Sequence, residues 1–497
     1  MKKLILVLHK KANVILLTFY ILYIALVIFG VYHHEPWRDE AHAWVQAREL
    51  SLVQLLAEVK HEGTPMLWYI VLAPFAKLGF PYETMQVIHA CIAVFSVGLI
   101  LFYTKIPLSL KIFFIFSYYM AYEYAVIARN YVLTILLLLL IALNYSKRFE
   151  KSLTFAFLIA LLFQTNSYSL GPAVILMLTF CAELLYRRKL FIKNLSAISI
   201  MVGGGIFSLF MLLPDRSIPY YTAPPPNSVT ETFSYLRSSI VPSFPQITDG
   251  LFFSQEFNTI ILLLTPVLFL SFFTTIVRRL SLLLLTIGMF GWQWYVNAVV
   301  HGGTLRHHGL TLIFLMFLYI ISLHERNRLF IIERVGTAVF HISLSCLLIL
   351  SLPFTLYIYR EEFLFSFSGA KDMAYYIKSH GLEKMEIVAY DGGSTEAVVS
   401  YLAGKKFWYP QFDGAGHFNV AGEEYLGTQM NLSLYDAITK MKKHLSTNPS
   451  AIILFSAPIP YEEIVNFTYL HESGAKYFWS NETENFWLYR NKSTPRI

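Results

Sequence analysis

The chain has 497 residues, of which 56% are hydrophobic and only 14% charged, with a mean hydropathy of +0.52. Soluble domains carry about 25% charged residues, so a soluble enzyme is excluded. The net charge of +7 sits in short Lys/Arg clusters between apolar runs, which is the pattern of membrane topology, and nucleic acid is not implied.

Residues 13–32 form an apolar run preceded by Lys2, Lys3, Lys10 and Lys11. About 20 helical residues cross a hydrocarbon core. The run is too long for a signal-peptide core and lacks a small-residue cleavage site, so it reads as a retained first helix. Basic clusters stay cytoplasmic, and they fall at 2–11, 105–111, 147–151, 187–193, 278–279 and 326–334. Placing all six inside predicts eleven crossings, at 13–32, 84–104, 110–127, 130–145, 151–167, 169–186, 194–214, 257–277, 280–300, 308–323 and 336–358. The N-terminus is then cytoplasmic and the last crossing ends outside. Cys91, Cys181 and Cys346 all lie within apolar runs, so neither a disulfide framework nor a Cys-based metal site is expected.

Between the first two crossings, residues 41–60 carry apolar positions at helical spacing with charges between them, which suits an amphipathic surface helix. Residues 64–80 are apolar, but counting them as a crossing would put every later basic cluster outside; they are expected to lie in the interface. Residues 215–256, with Pro224, Pro225 and Pro226, read as a long outer loop. From about 360 the composition turns soluble. Strands are predicted at 386–390, 407–409 and 451–455, helices at 370–380, 395–402, 434–444 and 461–472, and a closing hairpin from 478–480 and 486–489. The predicted fold is thus mainly α: a polytopic membrane bundle of about 11 transmembrane helices over 1–359, with a first outer loop at 33–83. A small extracytoplasmic α/β domain follows over 360–497. The composition suits the plasma membrane of a bacterium.

Under this topology the ionisable residues converge on the outer surface, whereas the cytoplasmic loops offer mainly Lys and Arg. Charged groups near membrane depth are costly and tend to mark pathways or reactive sites. Asp39 and Glu40 follow the first helix, where paired carboxylates can take a proton from an attacking hydroxyl or simply favour a helix N-terminus. Arg129 and Arg306 could hold a phosphate through the planar fork of guanidinium donors, or serve as a snorkelling anchor and a loop charge. His301, His307 and His308 lie in a Gly-containing loop. Adjacent histidines are within the chemistry of a divalent cation, but no His-x-x-x-His spacing is present, and a polar or phosphate-contacting wall is favoured over a metal site. No cofactor is assigned. His33, His34 and His42 read as interfacial side chains, and Trp37, Trp44, Trp292 and Trp294 as interface anchors.

The segment Trp37-Arg-Asp-Glu-Ala-His-Ala-Trp-Val-Gln-Ala-Arg-Glu-Leu50 resembles the first outer loop of the GT-C class of lipid-linked-sugar glycosyltransferases. That class includes protein O-mannosyltransferases and the bacterial transferase that places aminoarabinose on lipid A. A second element appears as His61-Glu-Gly-Thr-Pro65-Met-Leu-Trp-Tyr69, with Glu62 and Gly63 where the class has two prolines, and a third as Ala128-Arg-Asn-Tyr131. The resemblance covers about residues 13–190. It implies an inverting transfer of a sugar from a polyprenyl-phosphate-linked donor to a protein, lipid or glycan acceptor at the outer face. It further implies Asp39 as general base supported by Glu40, and His61 near the donor phosphate. The residues are also compatible with two other functions. A transporter or lipid flippase would show repeated halves and interrupted helices with midplane charges. A non-catalytic scaffold would tolerate replacement of Asp39.

Overall fold

The structure is a computed structural model. It describes all residues except 1, 62, 189–190, 214–234, 237, 243–254, 301–302, 325–329, 391, 403, 418–431, 461–462, 464–465, 476–483 and 493–497; the side chains of 2–12, 61, 255–256 and 392–394 also lie outside the description. Eight described helices are long and apolar enough to cross a membrane: Asn13–His33, Thr84–Tyr103, Ser167–Tyr186, Ile192–Leu212, Phe257–Ile276, Leu280–Val300, Leu305–His324 and Ile331–Leu364. The protein is therefore a multi-pass membrane protein. Of the other three predicted crossings, two are shorter helices, Tyr131–Asn144 and Ser152–Leu162.

The third, at 110–127, is broken. A helix Leu108–Ile115 stops, and a π-helical turn follows at Tyr119–Glu123. Backbone groups released at such a break need partners, because no water reaches them in hydrocarbon. The Ile331–Leu364 helix supplies several: the Tyr118 N–H donates to Ser351 Oγ at 3.2 Å, and the Thr355 hydroxyl donates to the Phe116 carbonyl at 3.0 Å. The Tyr359 hydroxyl donates to the Ala121 carbonyl, and that of Tyr23 to the Met120 carbonyl, both at 2.8 Å. The broken segment thereby becomes a fixed support leading to Arg129.

The first loop folds into three helices, Arg38–Glu49, Leu52–Glu58 and Leu67–Lys77. Leu67–Lys77, at 11 residues, spans roughly 16 Å and is too short to cross a core of about 30 Å. The Arg38–Glu49 helix is no surface helix: Glu40, Ala41, Ala43, Trp44, Val45, Gln46 and Ala47 are all buried. Amphipathic spacing reveals one apolar face, but here the C-terminal domain covers the polar face as well, and His42 pairs with Glu396 of that domain at 2.6 Å. The final membrane helix has 34 residues, or roughly 51 Å at 1.5 Å per residue. It outruns the hydrocarbon and continues directly toward that domain.

The C-terminal region forms one mixed sheet in the order β3-β2-β1-β4-β6-β5. Its strands are β1 Ile387–Tyr390, β2 Phe407–Tyr409, β3 Gly414–Gly416, β4 Ile452–Phe455, β5 Phe467–Ser473 and β6 Phe486–Asn491. β1 runs parallel to β2 and β4, and the other pairs are antiparallel. Alternating side chains face opposite ways. Ile387, Ala389, Phe407, Ile452 and Leu454 join the core shared with the bundle, while Val388, Trp408, Ile453 and Phe455 pack on the Leu434–Thr447 helix. One prediction fails here, because 467–473 is a strand where a helix over 461–472 was expected. Short apolar spacing does not separate the two periods; the ladder to β6, from Phe467 opposite Asn491 to Ser473 opposite Phe486, decides for the strand. The predicted 478–480 strand and most of the 215–256 loop lie outside the described residues.

Candidate functional site at the loop-facing end of the bundle

Asp39 lies in the first turn of the Arg38–Glu49 helix, where the helix dipole favours an anion. Arg306, 267 residues away, donates from Nη1 to Asp39 Oδ2 at 2.8 Å. Nη1 of Arg129 lies 3.1 Å from the same oxygen and donates to the Asp39 carbonyl at 2.7 Å. Two guanidiniums thus converge on one carboxylate oxygen. Burial pushes the Asp39 carboxyl up, but Arg129, Arg306 and Arg38 outweigh it and hold it down at about 2. The Asp39 side chain keeps 32% of its surface exposed, against 10% for Arg306, so the carboxylate faces an open space and the arginines form its wall. Trp37 is buried beneath them, with its ring 5.0 Å from the Arg306 guanidinium.

Glu40 turns the other way and is fully buried. Its Oε1 accepts from the Ala128 N–H at 2.6 Å, and its Oε2 accepts from the Trp37 N–H at 3.2 Å and meets His34 Nε2 at 3.0 Å. His34 Nδ1 in turn meets Glu362 Oε1 at 2.7 Å, and Tyr122 donates its hydroxyl to that same oxygen. Glu40 therefore joins the Asp39 segment to the Arg129 segment and does not face the open space.

His307 and His308 flank Arg306 in a short helix, Leu305–His308. His307 Nδ1 accepts from the Thr304 N–H at 2.8 Å, and its ring stacks on Tyr168 with centroids 4.7 Å apart. Both ring nitrogens of His308, Oδ1 of Asn297 and Oε1 of Gln293 are buried without a hydrogen-bond partner among the described residues. Gly303 makes this turn feasible: its φ is +62°, and a Cβ there would sit 2.6 Å from Asn297 Oδ1 and 2.9 Å from His308 Nε2. The side chain of His61, and all of Glu62 and His301, lie outside the described residues. Among the described residues no three His, Cys, Asp or Glu side chains gather in a form that could hold a metal ion.

Between the Ser167–Tyr186, Ile192–Leu212 and Leu280–Val300 helices an apolar cavity of about 710 Å³ opens, lined by Phe163, Leu170, Gly171, Ile206, Leu209 and Trp292 among others. Its outer wall consists of lipid-facing side chains, with Ile206 63% and Leu209 46% exposed. Trp292 donates its indole N–H to the Ser167 carbonyl, next to Tyr168 and its stacked partner His307.

Of the residues singled out from sequence, Asp39, Arg129 and Arg306 meet, His307 and His308 adjoin them, and Glu40 backs them. Several assignments need correction. Trp37 and Trp44 are buried in the fold and do not anchor an interface. His34 and His42 are paired with carboxylates. Glu362 and Glu484 escaped notice; the latter accepts the Arg38 N–H at 2.9 Å and the Ser368 hydroxyl. No local signal marks them, since Glu362 is 328 residues from His34 and Glu484 is 446 from Arg38.

No protein-family model matches the chain, and no curated protein sequence matches it. Among solved structures the chain is similar to the crystal structure of ArnT from Cupriavidus metallidurans bound to undecaprenyl phosphate. The TM-score is 0.50 at 10% identity, over 97% of this chain and 99% of the other. The match runs over nearly the full length of both chains, so the overall fold is shared.

Proposed function

We propose that this protein is a membrane glycosyltransferase that moves a sugar from a polyprenyl-phosphate-linked donor onto an acceptor hydroxyl, with inversion and with Asp39 as general base. The convergence of Arg129 and Arg306 on Asp39 carries this reading. Two cations around one partly open carboxylate leave a surplus of positive charge, which an anionic ligand at that spot neutralises. Guanidiniums suit phosphate oxygens, which they bind bidentately. The fold shared with a protein seen bound to undecaprenyl phosphate supports a lipid phosphate as that anion.

The neighbourhood supports the rest of the donor. The apolar cavity, walled by lipid-facing side chains, suits an isoprenoid tail. The unpartnered polar atoms of Gln293, Asn297 and His308 suit a hydroxyl-bearing group, since each buried polar atom left unpaired costs about 1–3 kcal/mol.

In the reaction, the acceptor oxygen attacks the anomeric carbon and passes its proton to Asp39. The bond from that carbon to the phosphate oxygen breaks, and the electron pair leaves with the phosphate toward Arg129 and Arg306. A carboxyl held at about 2 is a weak base. Arrival of the donor phosphate draws the guanidiniums away from it and restores its basicity, so donor binding precedes proton transfer. The site and the C-terminal domain are assigned to the extracytoplasmic side, in keeping with the distribution of basic clusters. His61 is retained as a donor-phosphate neighbour on the strength of its motif.

Purified Asp39→Asn protein should bind polyprenyl phosphate at least as tightly as wild type, since the guanidiniums no longer have to leave a carboxylate, and lose transfer by about 10²–10⁴-fold, the usual worth of a general base. Unchanged transfer by the folded variant would remove the assignment.

A further inference from the structure

The buried chain Glu40–His34–Glu362 takes no part in the chemistry described above, yet it touches the segments of both reacting groups. Glu40 Oε1 holds the Ala128 N–H at 2.6 Å, one residue before Arg129. The same side chain holds the Trp37 N–H at 3.2 Å, two residues before Asp39. One carboxylate thus braces the base's segment against the arginine's, beside the bonds that Arg129 makes to Asp39 directly. His34 lies between Glu40 and Glu362 with both ring nitrogens engaged, at 3.0 and 2.7 Å, and all three side chains are shut off from solvent. A carboxylate only accepts, so an imidazole that donates to one from each ring nitrogen carries a proton on both. Burial pushes the imidazole down, but Glu362 and Glu40 outweigh it and lift it to about 10. The Gln86 amide adds a bond to the His34 carbonyl at 3.1 Å. Glu362 sits in the last turns of the 34-residue helix that leads to the C-terminal domain.

We infer that His34 and Glu362 are positioning residues: a buried imidazolium clamped between Glu362 and Glu40 fixes the distance from Asp39 to Arg129 and ties it to the end of the final membrane helix. The activity arm of this inference rests on the proposed transferase reading; the structural arm does not. The charge of His34 does the holding, because removing one member of a buried ion pair leaves the facing carboxylates without their cation.

The test uses the full-length protein in lipid nanodiscs, comparing His34→Leu, His34→Lys and the near-isosteric Glu362→Gln by amide hydrogen exchange and by steady-state kinetics. In His34→Leu, exchange of the amides at Trp37 and Ala128 should rise by at least about tenfold, as expected when a local clamp opens. Its kcat should fall by something on the order of 10²-fold, the cost of misplacing a reacting group by about 1 Å. The KM for the lipid-linked donor should rise by less than kcat falls, because Arg306 still meets the phosphate while the spacing between Arg129 and the base is lost. His34→Lys should recover part of both readouts, since it restores charge but not shape. Glu362→Gln should move both in the same direction by less, and serves if His34→Leu does not fold. Unaltered exchange at both amides in a folded variant, or a leucine that performs as well as lysine, would overturn the inference. If exchange responds as expected but wild type transfers no sugar from any polyprenyl-linked donor, the clamp stands and the transferase reading fails.

Discussion

Among the described residues two arginine–carboxylate clusters lie between helices, and they are built on opposite plans. In one, Arg148 pairs with Glu183 through two parallel bonds, Nε to Oε2 at 2.8 Å and Nη2 to Oε1 at 3.0 Å. Its Nη1 bonds the Tyr145 carbonyl at 2.7 Å, and the rings of Tyr145 and Phe149 lie 4.0 and 4.8 Å from the guanidinium. One charge meets one charge, and aromatic faces cover the cation. In the other, two guanidiniums share a single oxygen of Asp39, which remains a third open. A closed, balanced pair holds helices together; in the open one two cations face a single carboxylate, which is the ground for the proposed anion site.

Substitutions should separate these plans by which quantity moves. The largest effect is the loss of transfer in Asp39→Asn already described. Next, Arg306→Lys keeps the charge but loses the planar fork, and kcat should fall by about 10²-fold, comparable to removing one donor from a preorganised anion site. A variant with wild-type kcat would place the phosphate elsewhere. At the other cluster, Glu183→Gln should cost stability and not chemistry. Breaking a largely buried pair from one side costs about 3 kcal/mol, visible as a lower thermal midpoint, while kcat per folded molecule stays constant. Loss of activity there would join the two clusters functionally.

Two smaller effects depend on pH. The Asp39 carboxyl lies at about 2, below its usual 3.8, so its ion pairs contribute stability that is present above pH 3.8 and lost as pH falls through 2. The thermal midpoint of wild type should therefore drop toward that of Asp39→Asn between pH 4 and 2, and the difference should be flat above that window. Glu484 behaves oppositely: burial lifts it from 4.5 to about 7, against the bonds from Ser368 and Arg38. An acid with a raised value costs nothing below pH 4.5 and costs progressively more as pH rises to 7. Glu484→Gln should thus stabilise the protein slightly at pH 8 and leave it unchanged at pH 4. Equal shifts at both values would mean that folding does not raise the Glu484 carboxyl.

The helices long enough to cross, the short helix at Leu67–Lys77 and the position of most terminal strands could be read from hydropathy and periodicity, because solvent contact is a local property of each side chain. Asp39, Arg129 and Arg306 could be nominated the same way, since a charge beside an apolar run is conspicuous. What no window of sequence contains is partnership. The break at Phe116–Tyr118 depends on hydroxyls from Ser351 and Thr355, the strand at Phe467–Ser473 on its ladder to β6, and the burial of Trp37 on its place beneath Arg306. Glu40 and Asp39 are neighbours of the same type, yet one is an internal brace and the other faces open space. Composition alone determined that this chain lives in a membrane with its charges gathered at helix ends, because apolar transfer is summed residue by residue. Only the tertiary structure decided which of those charges face one another, because electrostatic pairing depends on distances between segments hundreds of residues apart.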